Sequence, residues 1–297
     1  MIQHNDIGGV YTALTTPFDN QLYIDKQAWY RLLDHQAEGG VDGVIINGTT
    51  GESPTISEDE FEFLITSARE HFGRSTQIWA GSGGNVTEAS VAKSKKAAEL
   101  GADGLLLVTP YYNKPTQEGL KHHFLTIAES TDLPVMLYNI PGRTGTLIAT
   151  ETLDELAGHP KVAATKEATG DMGQILEIIH RTGNRCAVLS GDDAITLPLV
   201  LSGGSGVVSV IANLVPGLMK SLVDEAQSGN VEKAQEIHRK LWPLMKASFY
   251  QSNPIPIKEA LAMTGIMQPY LRPPLVRLEE SYRASLKTIL SDLNLIS

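Results

Sequence analysis

The strongest constraint on this chain is a set of eight short apolar runs, each separated from the next by a stretch of helical character. The runs span 10–15, 41–47, 78–81, 104–108, 135–139, 162–166, 187–190 and 206–210. They are nearly continuous in apolar residues instead of alternating with polar ones, as in parallel strands covered on both faces. Parallel neighbours need long crossovers, and the intervening segments supply helices with legible ends. Ser57 and Glu60 form a capping box ahead of an apolar face of Phe61, Leu64, Ile65, Ala68 and Phe72. Asp171 caps a helix that buries Ile175, Ile178 and Ile179 and stops at Gly183; Thr150 opens a shorter one, closed by Gly158 and Pro160.

A weak internal repeat fits the same scheme. Gly40-Val41-Asp42-Gly43-Val44-Ile45-Ile46 is echoed by Gly101-Ala102-Asp103-Gly104-Leu105-Leu106-Leu107, and more loosely by Gly203-Gly204-Ser205-Gly206-Val207-Val208. Each reads as a helix stopped by glycine and a tight turn into a strand. Eight such units predict an α/β chain folded as a (β/α)₈ TIM barrel over residues 1–225; a doubly wound open sheet has the same periodicity. Strand signals then stop, and 226–297 reads as a C-terminal helical region with helices over 231–246 and 276–293.

Composition excludes several functions. Lys and Arg total 24 against 34 Asp and Glu, a net charge of −10, and there is no basic stripe, so nucleic acid is not an expected partner. Cys186 is the single cysteine, which rules out an internal disulfide and fits a reducing, cytoplasmic setting. The first six residues have neither a basic nor an apolar leader region. Ala194 to Met219 carries no charge, but Pro198, Gly203, Gly204, Gly206, Asn213 and Pro216 interrupt it. That segment reads as a buried helix end, a strand and a loop, not a membrane span.

In a parallel barrel, chemistry gathers where the strands end: Thr15–Thr16, Asn47–Glu52, Tyr111–Tyr112, Tyr138–Arg143, Lys166–Glu167 and Ser190–Asp193. Lys166 ends a small-residue strand beside the one that ends in Tyr138. By strict alternation Val162, Ala164 and Lys166 share a face, as do Met136 and Tyr138. A lysine directed into an apolar mouth can lose its charge and form a Schiff base; a Lys166–Glu167 ion pair on the rim is the plainer alternative. The loop from Asn47 to Ser53 offers amides and hydroxyls suited to a carboxylate, or is a simple turn; it lacks the endings of a P-loop or dinucleotide fingerprint. Gly81-Ser82-Gly83-Gly84 reads as a turn. Arg143 could clamp a carboxylate. His122 and His123 lack metal-ligand spacing, Asp192 and Asp193 read as helix caps, and no metal site is expected.

Five motifs stand in order: Gly48-Thr49-Thr50-Gly51-Glu52-Ser53, Pro110-Tyr111-Tyr112-Asn113-Lys114-Pro115, Tyr138-Asn139-Ile140-Pro141-Gly142-Arg143-Thr144-Gly145, Lys166-Glu167-Ala168-Thr169-Gly170 and Asn253-Pro254-Ile255-Pro256-Ile257-Lys258. Together they closely resemble the dihydrodipicolinate synthase family, within the pyruvate-dependent class I aldolases that include N-acetylneuraminate lyase. The resemblance runs over essentially the whole chain. It implies a homotetramer of two tight dimers that joins pyruvate to L-aspartate 4-semialdehyde in lysine biosynthesis by the diaminopimelate route, with no cofactor beyond the imine on Lys166. It implies that Tyr138 shuttles protons, helped by Thr50 and by Tyr112 from the neighbouring subunit. Thr49 and Thr50 would hold the pyruvate carboxylate with the backbones of Gly191 and Val208, and Arg143 the aldehyde's carboxylate. Ser53, Asn85 and Tyr111 match parts of a crevice that binds L-lysine in inhibited relatives. Relatives of that kind have histidine at the place of Phe61 and glutamate at that of Ala89, so weak or absent inhibition is expected here. A sugar-acid lyase, a non-catalytic oxo-acid binder and an NAD-dependent oxidoreductase are the rivals. Arg143 with Tyr111–Tyr112, the complete proton relay and the missing dinucleotide fingerprint argue against them in turn.

Overall fold

The computed structural model describes residues 3–296; Met1, Ile2 and Ser297, the outer ends of the two expected regions, lie outside the described residues. Among the described residues eight parallel strands form in chain order: β1 (Gly9–Ala13), β2 (Gly43–Ile46), β3 (Gln77–Gly81), β4 (Gly104–Val108), β5 (Val135–Asn139), β6 (Val162–Glu167), β7 (Ala187–Ser190) and β8 (Gly206–Ser209). Each pairs with its successor, and β8 returns to β1 with Gly9 opposite Gly206 and Tyr11 opposite Val208. Closure removes the open-sheet alternative.

Between the strands run α1 (Lys26–Gly39), α2 (Glu58–Phe72), α3 (Thr87–Glu99), α4 (Gln117–Glu129), α5 (Pro141–Thr144), α6 (Thr150–Leu156), α7 (Met172–Thr182) and α8 (Thr196–Leu201), with α9 (Pro216–Gln227) after β8. The chain continues through α10 (Val231–Ala247), α11 (Ile255–Met263) and α12 (Glu280–Asp292). No helix of the described residues is long and apolar enough to cross a membrane. The uncharged stretch from Ala194 becomes α8, β8 and the start of α9. The Ser57–Glu60 capping box forms in both directions, at 3.0 and 3.3 Å, and the Asp171 side chain accepts from Gln174 N at 3.1 Å.

The internal repeat has a mechanical meaning. Gly40 and Gly101 take positive φ, +67° and +89°, to end their helices. The aspartate that follows each turns back to the preceding strand: Asp42 accepts from Val10 N and Asp103 from Ile78 N, both at 2.8 Å. The second glycine leaves room inside the barrel, since a Cβ on Gly43 would lie 2.4 Å from the Tyr11 ring and one on Gly104 2.5 Å from that of Trp79. Those two rings meet edge to face with centroids 6.2 Å apart, filling the lower barrel with Ile45, Leu106, Met136 and Leu189. The opposite strand faces pack against the helices.

Three differences from the sequence reading have physical causes. A register shift between β5 and β6 skips Ala163, pairing Val135 with Val162 but Met136 with Ala164. Val162 therefore joins the outer layer, while Ala163 and Ala164 both line the barrel; the bulge breaks strict alternation just before Lys166. α12 begins at Glu280 instead of 276, because the residues ahead of it are used in tertiary contacts: Arg277 pairs with buried Glu259 at 3.1 Å, Leu278 is buried and Glu279 N donates to Gln251 Oε1 at 3.0 Å. β1 and β2 end earlier than expected because their exits serve tertiary contacts, as where Thr15 N donates to Asn213 Oδ1 at 3.0 Å.

Candidate active site

The carboxyl ends of the strands carry the candidate residues to one mouth. Lys166 and Tyr138 are register partners on β6 and β5, both 5% exposed, and Lys166 Nζ lies 4.1 Å from the centre of the Tyr138 ring. Burial strips water from the ammonium and lowers the lysine pKa to about 7; the Arg143 charge pushes the same way and Asp193 opposes it. Burial also raises the Tyr138 phenol to about 12, partly offset by the Arg143 charge and the Thr49 hydroxyl. An amine poised near neutrality beside a phenol that keeps its proton can attack a carbonyl and exchange protons with the adduct.

Glycine at 191 makes room for that lysine. A Cβ there would lie 3.0 Å from Lys166 Cε and Cγ, so the side chain lies across the end of β7. Val208 on β8 is fully buried in the inner layer. Lys166 and Glu167 do not pair on the rim. Glu167 points to the other face of β6, where Thr165 Oγ1 donates to it at 2.7 Å and Asn139 Nδ2 at 3.1 Å, and burial raises its carboxyl to about 7.

The loop after β2 is held from several sides. Thr16 Oγ1 donates to Gly51 O at 2.8 Å, and Asn47, with φ +61°, donates through Nδ2 to Gly81 O at 2.7 Å. Thr50 is buried and its hydroxyl accepts from Asn253 Nδ2 at 2.9 Å; among the described residues it makes no hydrogen bond to Tyr138. Asn253 O also receives Arg143 Nη2 at 3.2 Å, so one residue from the C-terminal region touches both the loop and α5. Glu52, in a left-handed conformation at φ +57°, is tied by Lys258 Nζ at 2.6 Å and Arg272 N at 2.9 Å. Lys258 Nζ and the Arg272 guanidinium each lie 4.2 Å from the Phe18 ring centre.

A cavity of about 670 Å³ opens beside this mouth; Lys166, Tyr138, Thr50, Gly191 and Val208 do not line it. Thr49 and Arg143 line one part, Ser53, Asn85, Tyr111, Ala89 and Lys93 another. Tyr112, at φ +73° and 90% exposed, points away from its own barrel. Sequence reasoning missed Asn253 as a contact residue, the Glu52–Lys258 pair and Asp193. Their only signal was the Asn-Pro-Ile-Pro-Ile-Lys motif and a second aspartate after a strand. Asp192 does cap, accepting from Ala194 N at 3.0 Å, but Asp193 is not a cap: it is 2% exposed and its Oδ2 accepts from Val210 N at 3.0 Å and Ile211 N at 3.1 Å. His123 is buried against Thr87 Oγ1 at 2.9 Å, and no metal-binding cluster occurs among the described residues.

A closed parallel barrel with a desolvated lysine amine at its mouth has the parts that an imine-forming aldolase needs. Comparison with known proteins narrows this. Residues 6–293 match the model of the Dihydrodipicolinate synthetase family, and the chain belongs to that family. A 4-hydroxy-tetrahydrodipicolinate synthase from Thermotoga neapolitana is 46% identical over 97% of this chain and 99% of its own. The lysine-bound dihydrodipicolinate synthase of Cyanidioschyzon merolae superimposes with a TM-score of 0.95 at 40% identity, covering 98% and 99% of the two chains. A monomeric dihydrodipicolinate synthase variant does so at 0.96 and 43%, covering 99% of each.

Proposed function

We propose that the chain condenses pyruvate with L-aspartate 4-semialdehyde to give 4-hydroxy-tetrahydrodipicolinate, the product in its relatives' names. The observation that carries this is the buried Lys166 amine stacked on Tyr138. With its pKa lowered to about 7, a substantial share of the amine is neutral at pH 7, against less than about one part in 10³ for a free lysine. Neutral Lys166 attacks the ketone carbon of pyruvate, and loss of water leaves an iminium. The iminium withdraws electrons, a methyl proton leaves, and the enamine carbon bonds to the aldehyde carbon while the aldehyde oxygen takes a proton. The product's amino group then adds to the iminium carbon, the bond to Lys166 breaks, and the ring closes.

Tyr138 carries the protons between these steps, with Thr50 and the neighbour's Tyr112 completing the relay. Thr49, Thr50 and the backbones of Gly191 and Val208 receive the pyruvate carboxylate, and Arg143 at the cavity mouth receives the aldehyde's. Each step closes on protein groups and the two substrates, with no separate cofactor. The extreme exposure of Tyr112 supports a dimer that shares sites, and by family resemblance a tetramer of two such dimers. The lone buried cysteine fits a cytoplasmic setting. Ser53, Asn85 and Tyr111 form a candidate lysine crevice, but Ala89 offers no anion there. Lys93, its ammonium 4.9 Å above the Phe61 ring, adds a positive charge instead.

Incubation with pyruvate and borohydride, followed by peptide mapping, tests the reading. A pyruvate-derived mass on the Lys166 peptide is expected. An adduct on another lysine only, or faster cleavage of a sugar acid than consumption of the semialdehyde, overturns it.

A further inference from the structure

Asp193 sits in a short turn of helix, Asp193–Ile195, just beyond β7. One carboxylate oxygen, Oδ2, is fully engaged by two backbone amides at the exit of β8. The other, Oδ1, is buried and has no hydrogen-bond partner among the described residues. Burial pushes the Asp193 carboxyl up to about 6 against the Ser209 hydroxyl and the two amides, so above that pH a buried carboxylate stands here, and a nearby positive charge offsets its cost. The Lys166 side chain lies across Gly191, two residues before Asp193. Asp193 is also the anion whose field acts on that amine.

We propose that Asp193 is a positioning residue for the condensation, holding beside the β7–β8 exits the positive charge that Lys166 carries first as ammonium and then as iminium. Ammonium plus ketone gives iminium plus water, so one positive charge stands near Asp193 on both sides of that exchange. The field opposes the fully neutral amine and favours the iminium, and deprotonation to the enamine removes the charge. The arrangement keeps the lysine from being wholly discharged by its apolar walls, while Arg143 and burial push the other way. Other groups around Asp193 are Asp192 beside it, Ser209 on β8, and His238 of α10, whose Nε2 is 3.2 Å from Ala194 O.

The inference rests on Lys166 as the imine-forming residue, and one experiment separates the two. Borohydride trapping with pyruvate is run across pH 5–9 on the wild type, Asp193→Asn and Asp193→Glu, with adducts mapped and melting temperatures recorded. Asparagine keeps an oxygen for the Val210 and Ile211 amides but removes the charge. The acid limb of imine formation in Asp193→Asn is expected about one pH unit lower, the ordinary effect of a nearby opposite charge, with more pyruvate needed for half-trapping. Asp193→Glu is expected to restore the limb part-way. A merely structural role would lower the melting temperature and leave the limb in place. A folded Asp193→Asn with an unmoved limb overturns the proposal. If that variant fails to fold, Asp193→Ser, which also lacks the charge, takes its place, and a folded serine variant with an unmoved limb does the same. Wild-type trapping away from Lys166 overturns both readings at once.

Discussion

Replacing Lys258 by methionine isolates the link between the C-terminal helices and the substrate loop. Lys258 and Glu52 are both buried, with their charged atoms 2.6 Å apart. Methionine fills most of the lysine volume, so the loss is electrostatic: Glu52 keeps Arg272 N at 2.9 Å but loses its buried cation. Removing one partner of a buried pair costs about 3–5 kcal/mol, and the remaining Arg272 contact places this case near about 3. The Phe18 ring keeps one of its two cations, Arg272. For a chain of 297 residues the loss corresponds to a drop of about 5 °C in melting temperature. Because Glu52 closes the loop that carries Thr49 and Thr50, KM for pyruvate should rise as well. Lys258→Met and Glu52→Gln/Lys258→Met are compared by thermal melting. The double variant, with no stranded charge, should recover most of the loss. A single variant within about 1 kcal/mol of wild type, or a double variant no better than the single, would refute the reasoning.

Three further outcomes are expected. Burial lifts the Glu167 carboxyl to about 7, so the folded state binds that proton more tightly than the unfolded chain. Its contribution is fully present below about 4.5 and lost as pH rises through about 7, so Glu167→Gln should gain on the wild type between pH 5 and 8, by on the order of 3 kcal/mol at the alkaline end. A pH-independent difference in melting would contradict this. Mixed dimers of Lys166→Ala and Tyr112→Phe subunits should regain activity from sites with both groups intact; verified mixed dimers without recovery would mean that each subunit works alone. L-lysine titrated against activity should not reach half-inhibition in the submillimolar range, since Ala89 and Lys93 leave its ammonium without a partner, and half-inhibition there would show that the crevice accommodates it.

Much of the architecture was legible in the chain alone because it rests on local physics. Continuous apolar runs force two-sided burial, caps such as Ser57 and Asp171 act within four residues, and glycine at 40 and 101 stops a helix wherever the chain lies. The meeting of Tyr138 and Lys166 was likewise readable, since neighbouring strand ends share one mouth of any parallel barrel, whereas the roles of the motif residues came from the family resemblance and not from the pattern. Tertiary structure decided what depends on contacts far apart in sequence. The bulge at Ala163 reflects the pairing of β6 with β5, and periodicity carries no signal for it. Glu52 meets Lys258, and Thr50 meets Asn253, across some two hundred residues. Asp193 resembles the capping Asp192 beside it until the exit of β8 is laid against it and two of its amides engage the carboxylate. Charge in a protein takes its energy from the surrounding dielectric and partners, and only the folded chain supplies those.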